Sequence, residues 1–118
     1  MKVMTVVGTR PEIIKLSRVI PELDKHFEHV LVHTGQNFDP QLKDVFFKEL
    51  KIRAPDMEFD IAAKASGGPY VVAQIMSQMA GLLNEHRPDA VLILGDTNSC
   101  IATVYAAKRM HIPIFHME

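Results

Sequence analysis

Residues 3–12 read Val-Met-Thr-Val-Val-Gly-Thr-Arg-Pro-Glu. Val3–Val7 is short, rich in β-branched residues and largely apolar, the pattern of a strand buried on both faces. Gly8 permits a tight turn, and Pro11 suits the first turn of a helix, where its missing N–H costs nothing. A strand, a turn and a helix start in so short a stretch make the opening of a βα unit.

The same punctuation recurs along the chain. His29–Thr34, Ala90–Leu94 and Ile112–Met117 are further apolar runs, the last weakened by Pro113, and Met57–Ile61 is a fainter one. Between them lie helical patterns. Pro11 to about Lys25 places Ile14, Val19, Ile20 and Leu23 near one stripe, with Pro21 expected to kink the helix or end it near Ile20. Pro40 to about Leu50 has Asp39 as its expected N-cap and Leu42, Val45, Phe46 and Leu50 facing inward. A third helix runs from about Tyr70 to Glu85, closed by Arg87-Pro88, and a fourth from Thr97 or Asn98 to about Met110. Ala62–Pro69, small and glycine-rich, reads as a mobile loop. Alternating strands and helices predict an α/β domain, a Rossmann-like doubly wound parallel sheet of order 3-2-1-4-5 over residues 1–118. The last strand meets Glu118 without the turn that should follow it, so the chain reads as a fragment of a longer protein.

Composition bounds the partners. The 118 residues are 47% apolar and 23% charged, with a net charge of −1 and a mean hydropathy of +0.06. That is one ordinary globular domain, long enough to bury a core. Thirteen basic residues against fourteen acidic ones leave no excess for a phosphate backbone, which argues against nucleic acid. No apolar run approaches the roughly 20 residues of a membrane helix, and no signal-peptide core is present, so a soluble, cytoplasmic protein is expected. The single cysteine, Cys100, removes any disulfide framework and reads as a small buried side chain. The six histidines lack HxxxH or HExxH spacing, so no metal or cofactor is expected; His26, His86 and His111 read as surface positions, and Met76 and Met79 as core filler.

In a doubly wound sheet, ligands bind beyond the carboxyl ends of the strands at the switch point, so the turns there are the candidate sites. Gly8-Thr9-Arg10-Pro11-Glu12 offers helix-start amides to an anion, Arg10 as a forked cationic donor, and Lys15 one turn further on. It is neither GxGxxG nor a P-loop, so neither NAD nor ATP is implied. The plain alternative is an ordinary βα turn with a surface arginine. Gly95-Asp96-Thr97-Asn98-Ser99 would face the same crevice, with Asp96 either a general acid or base or, like Thr97, a helix cap. His116-Met117-Glu118 would set a second carboxylate beside Asp96, or simply a chain-end glutamate in solvent. His33-Thr34-Gly35-Gln36-Asn37-Phe38-Asp39 is a polar turn with or without a ligand.

Together, GTRPE at the amino end, GDTNS after the fourth strand and FHME after the fifth resemble the non-hydrolysing UDP-N-acetylglucosamine 2-epimerases, along the whole chain. LVHTGQNFD, LILGDTNSC and IFHME are most similar to the branch that makes UDP-N-acetyl-L-fucosamine from UDP-N-acetyl-L-rhamnosamine. The N-acetylglucosamine branch usually carries an AQHR-like sequence where this chain has Gly35-Gln36-Asn37-Phe38.

The resemblance implies two Rossmann-like domains in a GT-B-like arrangement, an active site in the cleft between them, and a homodimer serving bacterial surface polysaccharide synthesis. This chain would be most of the N-terminal domain, inactive alone, with the UDP-binding domain beyond Glu118. The implied reaction eliminates UDP across C1–C2 of the sugar and adds it back after reprotonation from the other face. Departure of UDP with oxocarbenium character suits carboxylates that stabilise positive charge and move protons. By resemblance Asp96 and Glu118 are the acid/base pair and Arg10 and Lys15 line the substrate cleft. Gln36 matches a position that contacts a second, activating nucleotide sugar in some members; Asn37, Phe38 and Asp39 depart from that pattern, which argues against the activation here. A glycosyltransferase of the same architecture and a non-catalytic nucleotide-sugar-binding domain are the rival readings.

Overall fold

A computed structural model describes residues 1–35, 40–61 and 68–118, with residues 40–44 described by their backbone. The elements run β1 (Lys2–Val7), α1 (Arg10–Leu16), α2 (Val19–His26), β2 (Glu28–His33), α3 (Pro40–Glu49), β3 (Met57–Glu58), α4 (Gly68–His86), β4 (Ala90–Leu94), α5 (Asn98–Arg109) and β5 (Ile114–Met117). The strands form one sheet of order β3-β2-β1-β4-β5, and every pairing is parallel, as the alternation of strands and helices predicts.

The two-residue period of the strands explains why both faces are apolar. Met4, Val6, Val32, Val91 and Ile93 point to one face, where Met79 and Leu83 of α4 and Ala106 and Ala107 of α5 cover them. Val7, Leu31, Leu92 and Leu94 point to the other, against Ile13, Leu16, Ile20 and Phe47 from α1, α2 and α3. Parallel register aligns the two sets: Val6 pairs with Val32, and Met4 with both Val30 and Val91.

Several expectations need correction. The stretch from Pro11 is two helices, broken at Ser17–Arg18. Pro21 therefore sits in the first turn of α2, where its absent N–H breaks no helical bond. The break also resets the buried stripe: Ile13 and Leu16 are buried, whereas Ile14 is half exposed. In α3 the inward residue is Phe47, with Phe46 and Leu50 partly covered, while Val45 is exposed. Leu42's side chain and the Asp39 cap lie outside the described residues. Strand β2 begins one residue early, and β5 starts only at Ile114, since Pro113 has no N–H for the ladder. Helix α4 starts at Gly68, so Gly68 and Pro69 of the expected loop are helical; residues 62–67 lie outside the described residues.

Lys51, Arg87 and His111, just past the ends of α3, α4 and α5, take left-handed backbone angles without being glycine, with φ of 58°, 46° and 59°. Ile52 N–H then bonds Phe47 O at 3.1 Å and Ile112 N–H bonds Ala107 O at 2.9 Å, the long bond of a Schellman cap. Ile52 and Ile112 are buried, and that apolar contact offsets the strain. Met79 and Cys100 are buried as expected, Met76 only partly. Among the described residues no helix is long and apolar enough to cross a membrane.

Candidate functional site

The turns after β1, β2 and β4 and the end of β5 meet at the carboxyl edge of the sheet, and polar contacts tie them together. Gly95 N–H donates to Met117 O at 2.9 Å, and the His116 ring Nε2 lies 2.7 Å from Gly95 O, so that nitrogen carries the proton. The Thr34 and Ser99 hydroxyls are 2.7 Å apart, joining the end of β2 to the start of α5. Gly8 passes directly over them. A Cβ there would stand 2.2 Å from Ser99 Oγ and 2.4 Å from Thr34 Oγ1, so the turn after β1 needs glycine for close approach.

Glu12 is the centre of this edge. It is 2% exposed, and its Oε1 accepts from Gly8 N at 3.1 Å, Thr9 N at 2.8 Å and Thr9 Oγ1 at 2.8 Å. Glu12 thus takes the Gly8 and Thr9 amides, which precede α1, so these two are not open to an external anion. Its Oε2 accepts from Thr97 Oγ1 at 3.2 Å, with the Cys100 sulfur 3.7 Å away. The spacing Thr9-x-x-Glu12 is a capping-box signature and could have disclosed the first set of bonds. Nothing local discloses the second, made across 85 residues.

Thr97, not Asp96, caps α5, since its hydroxyl accepts from Cys100 N at 3.4 Å. Asp96 is exposed, and its carboxylate has no hydrogen-bond or ion-pair partner among the described residues. It sits on the turn made by Gly95, whose φ of +85° requires glycine. Asp96 and His116 also border an open, largely apolar groove of about 680 Å³ between α5 and β5, with Ile101, Val104 and Tyr105 along it.

The other candidates are less gathered. Arg10 opens α1 at the surface, its guanidinium carbon 5.6 Å from the centre of the Phe46 ring, a cation–π contact that orients the fork. Lys15 is exposed in the last turn of α1, and its ammonium is uncommitted among the described residues. Glu118 is 79% exposed, with Oε1 3.9 Å from His116 Nε2, and makes no hydrogen bond to Asp96. Gln36 lies outside the described residues. Cys100 donates to Leu94 O at 3.1 Å; burial pushes its thiol up from the ordinary value, Thr97's hydrogen bond opposes this, and the Glu12 charge adds to the rise. Among the described residues no three His, Cys, Asp or Glu side chains converge as a metal-binding group.

With this geometry in hand, comparison with known proteins is specific. A family profile described as UDP-N-acetylglucosamine 2-epimerase matches residues 21–118. The solved structure of UDP-N-acetylglucosamine 2-epimerase from Rickettsia bellii is 51% identical with a TM-score of 0.87, covering 100% of this chain and 31% of that one. The Neisseria meningitidis UDP-GlcNAc 2-epimerase, solved bound to UDP-GlcNAc, is 35% identical with a TM-score of 0.88, covering 100% of this chain and 32% of that one. The UDP-2,3-diacetamido-2,3-dideoxy-D-glucuronate 2-epimerase of Pseudomonas aeruginosa is 35% identical over 120 residues, 100% of this chain and 33% of its own length. The chain spans about a third of the length of the curated relatives it matches.

Proposed function

Because the chain belongs to the UDP-N-acetylglucosamine 2-epimerase family, we propose that it forms the N-terminal domain of a two-domain UDP-N-acetylhexosamine 2-epimerase. The observation that carries this is the knitted carboxyl edge, where the uncommitted Asp96 carboxylate stands on a turn held by Gly95, Thr97 and the end of β5. Such an edge is where an open α/β sheet receives its ligand. Ile101 and Tyr105 on the α5 side and Phe115 on the opposite face of β5, each more than half exposed, support further structure of the same protein around this edge of the sheet.

In this reading Asp96 and Glu118 are the acid/base carboxylates. One removes the proton at C2 of the sugar as the C1–oxygen bond to UDP breaks, leaving an unsaturated sugar and UDP. A proton is then returned to C2 from the opposite face as UDP adds back at C1. The carboxylate that acts as base also stabilises, by its negative charge, the oxocarbenium character that develops at C1, while the other carboxyl holds the proton that it returns to C2. Arg10 and Lys15 supply cationic donors to the UDP-sugar, and Phe46 holds the Arg10 fork in place. Gln36 would lie beside a second nucleotide sugar if one bound, but Asn37, Phe38 and Asp39 argue that this activation is lost. LVHTGQNFD, LILGDTNSC and IFHME support conversion of UDP-N-acetyl-L-rhamnosamine to UDP-N-acetyl-L-fucosamine for a surface polysaccharide. The working unit is a homodimer, and the 118-residue chain alone is inactive because half the cleft is missing.

The test uses the full-length protein in D₂O with UDP-N-acetylglucosamine and UDP-N-acetyl-L-rhamnosamine in separate tubes, followed by proton NMR. Deuterium at C2 appearing with the epimer supports the reading, and the faster tube names the substrate. A folded protein that binds UDP but exchanges neither sugar rejects it in favour of transfer or simple binding.

A further inference from the structure

Glu12 has more contacts than a helix cap needs. A cap for α1 requires one oxygen near the Thr9 amide, and Oε1 does that. Yet the carboxylate is drawn almost wholly out of water, and its second oxygen is spent on Thr97, at the start of α5 on the far side of β1 and β4. Burying a carboxylate is costly unless donors surround it, and here four N–H or O–H groups do so. Those donors come from two turns only. One carries Arg10, the other follows Asp96 directly, so a single buried group joins the two halves of the proposed site.

The chain of contacts has a direction. The Thr97 hydroxyl donates to Glu12 Oε2 and accepts from Cys100 N–H, which fixes its rotamer and the backbone entering α5. Asp96 lies between Thr97 and Gly95, and Gly95 is pinned by β5 through Met117 O and the His116 ring. The backbone on both sides of Asp96 is therefore anchored, on one side by β5 and on the other by Glu12. The Asp96 side chain has no such anchor of its own.

We infer that Glu12 is a positioning residue for the epimerisation, holding Asp96 at a set distance from Arg10 through Thr97. This rests on the epimerase reading above and deepens it, since Glu12, 2% exposed, would act through Thr97 rather than on the sugar. A misplacement on the order of 1 Å at a reacting group can lower a rate about 10²-fold without loss of binding.

The experiment measures kcat and KM of the full-length enzyme, on whichever UDP-sugar the wild type epimerises faster, for Glu12→Gln, Thr97→Val, Thr97→Ser and the Glu12→Gln/Thr97→Val double variant. In Glu12→Gln the amide nitrogen must face donors on one side or the other. Thr97→Val keeps the shape of the side chain and removes the hydroxyl. Expected are kcat losses of about 10- to 100-fold for Glu12→Gln and for Thr97→Val with KM moved less than about threefold, recovery of most of the rate in Thr97→Ser, and a double variant no worse than the poorer single. Should Glu12→Gln not fold, Thr97→Val against Thr97→Ser still decides. Wild-type kcat in Thr97→Val, or multiplied losses in the double variant, overturns the positioning role alone. A wild-type enzyme that exchanges no C2 hydrogen overturns the epimerase reading and the inference with it.

Discussion

Thr34 Oγ1 and Ser99 Oγ stand 2.7 Å apart, buried, 65 residues distant in sequence, and Gly8 crosses directly above them. Three turns of the sheet edge thus share one packing point. Neither hydroxyl sits on a long side chain that could swing aside.

Gly8→Ala is therefore expected to lower the unfolding free energy by about 1–3 kcal/mol, the usual cost of overpacking. The added methyl must push apart Thr34 and Ser99, and the turn after β1 with them. Urea unfolding of the full-length protein measures this. Gly81, whose Cβ would meet nothing within 4 Å, is the control, and Gly81→Ala is expected to leave stability unchanged or raise it by up to about 1 kcal/mol. Equal stability of the two variants would show that the crowding at Gly8 is relieved at no cost.

The sheet order was legible because β1, β2 and β4 carry apolar runs and the turns that follow them contain glycine. Element boundaries were less so, for reasons visible at particular residues. Pro21 suggested a break near itself, but a proline in a first turn interrupts nothing, and the break fell at Ser17–Arg18 instead. A stripe drawn through Ile14 then pointed the wrong way, because the 3.6-residue period restarts at each new helix. The strand order also made legible that the turns carrying Arg10 and Asp96 lie at the same edge of the sheet, after the adjacent strands β1 and β4. The reach of Glu12 was not legible, since its second oxygen answers to a residue that only the folded sheet brings near.

A second polar network predicts a pH dependence. The His29 ring, 1% exposed, links Thr5 Oγ1 at 2.7 Å to Asp24 Oδ1 at 2.7 Å, and Arg53 Nε lies 3.1 Å from Asp24 Oδ2. Burial works to raise the Asp24 carboxyl, but hydrogen bonds and charge from Arg53 and His29 outweigh it and hold the group below its ordinary value. A depressed carboxyl contributes stability in full above its unfolded pKa, near 4, and loses it as pH falls through the folded value. The stability gap between wild type and Asp24→Asn should shrink as pH is lowered from about 5 toward 3. A gap that is constant over that window, in denaturant titrations at each pH, would mean that the network does not favour the ionised form.

Cys100 should behave as a structural thiol. It is 4% exposed, hydrogen-bonded to Leu94 O, and shifted upward first by burial, so little thiolate is present at pH 8. Iodoacetamide is expected to alkylate it at least about tenfold more slowly in the native protein than in urea. Mass spectrometry of the peptide containing Cys100 over a time course checks this, and equally fast labelling in both conditions would mean that the start of α5 opens readily.

The chemical roles predict a separation of binding from turnover. If Asp96 and Glu118 move protons at C2, Asp96→Asn and Glu118→Gln keep size and polarity but cannot cycle a proton at neutral pH. Each should reduce epimerisation by about 10²–10⁴-fold while the UDP-sugar still binds. If the Arg10 fork holds the nucleotide sugar in ground state and transition state alike, Arg10→Ala should do the reverse, weakening binding with a smaller effect on kcat. Deuterium incorporation at C2 and calorimetric binding, measured on the same full-length variants, separate the two classes. Since Asp96 has no partner to lose among the described residues, Asp96→Asn should also leave the fold as stable as before. Loss of activity in that variant is then loss of chemistry, and a wild-type rate of exchange in it would remove Asp96 from the mechanism.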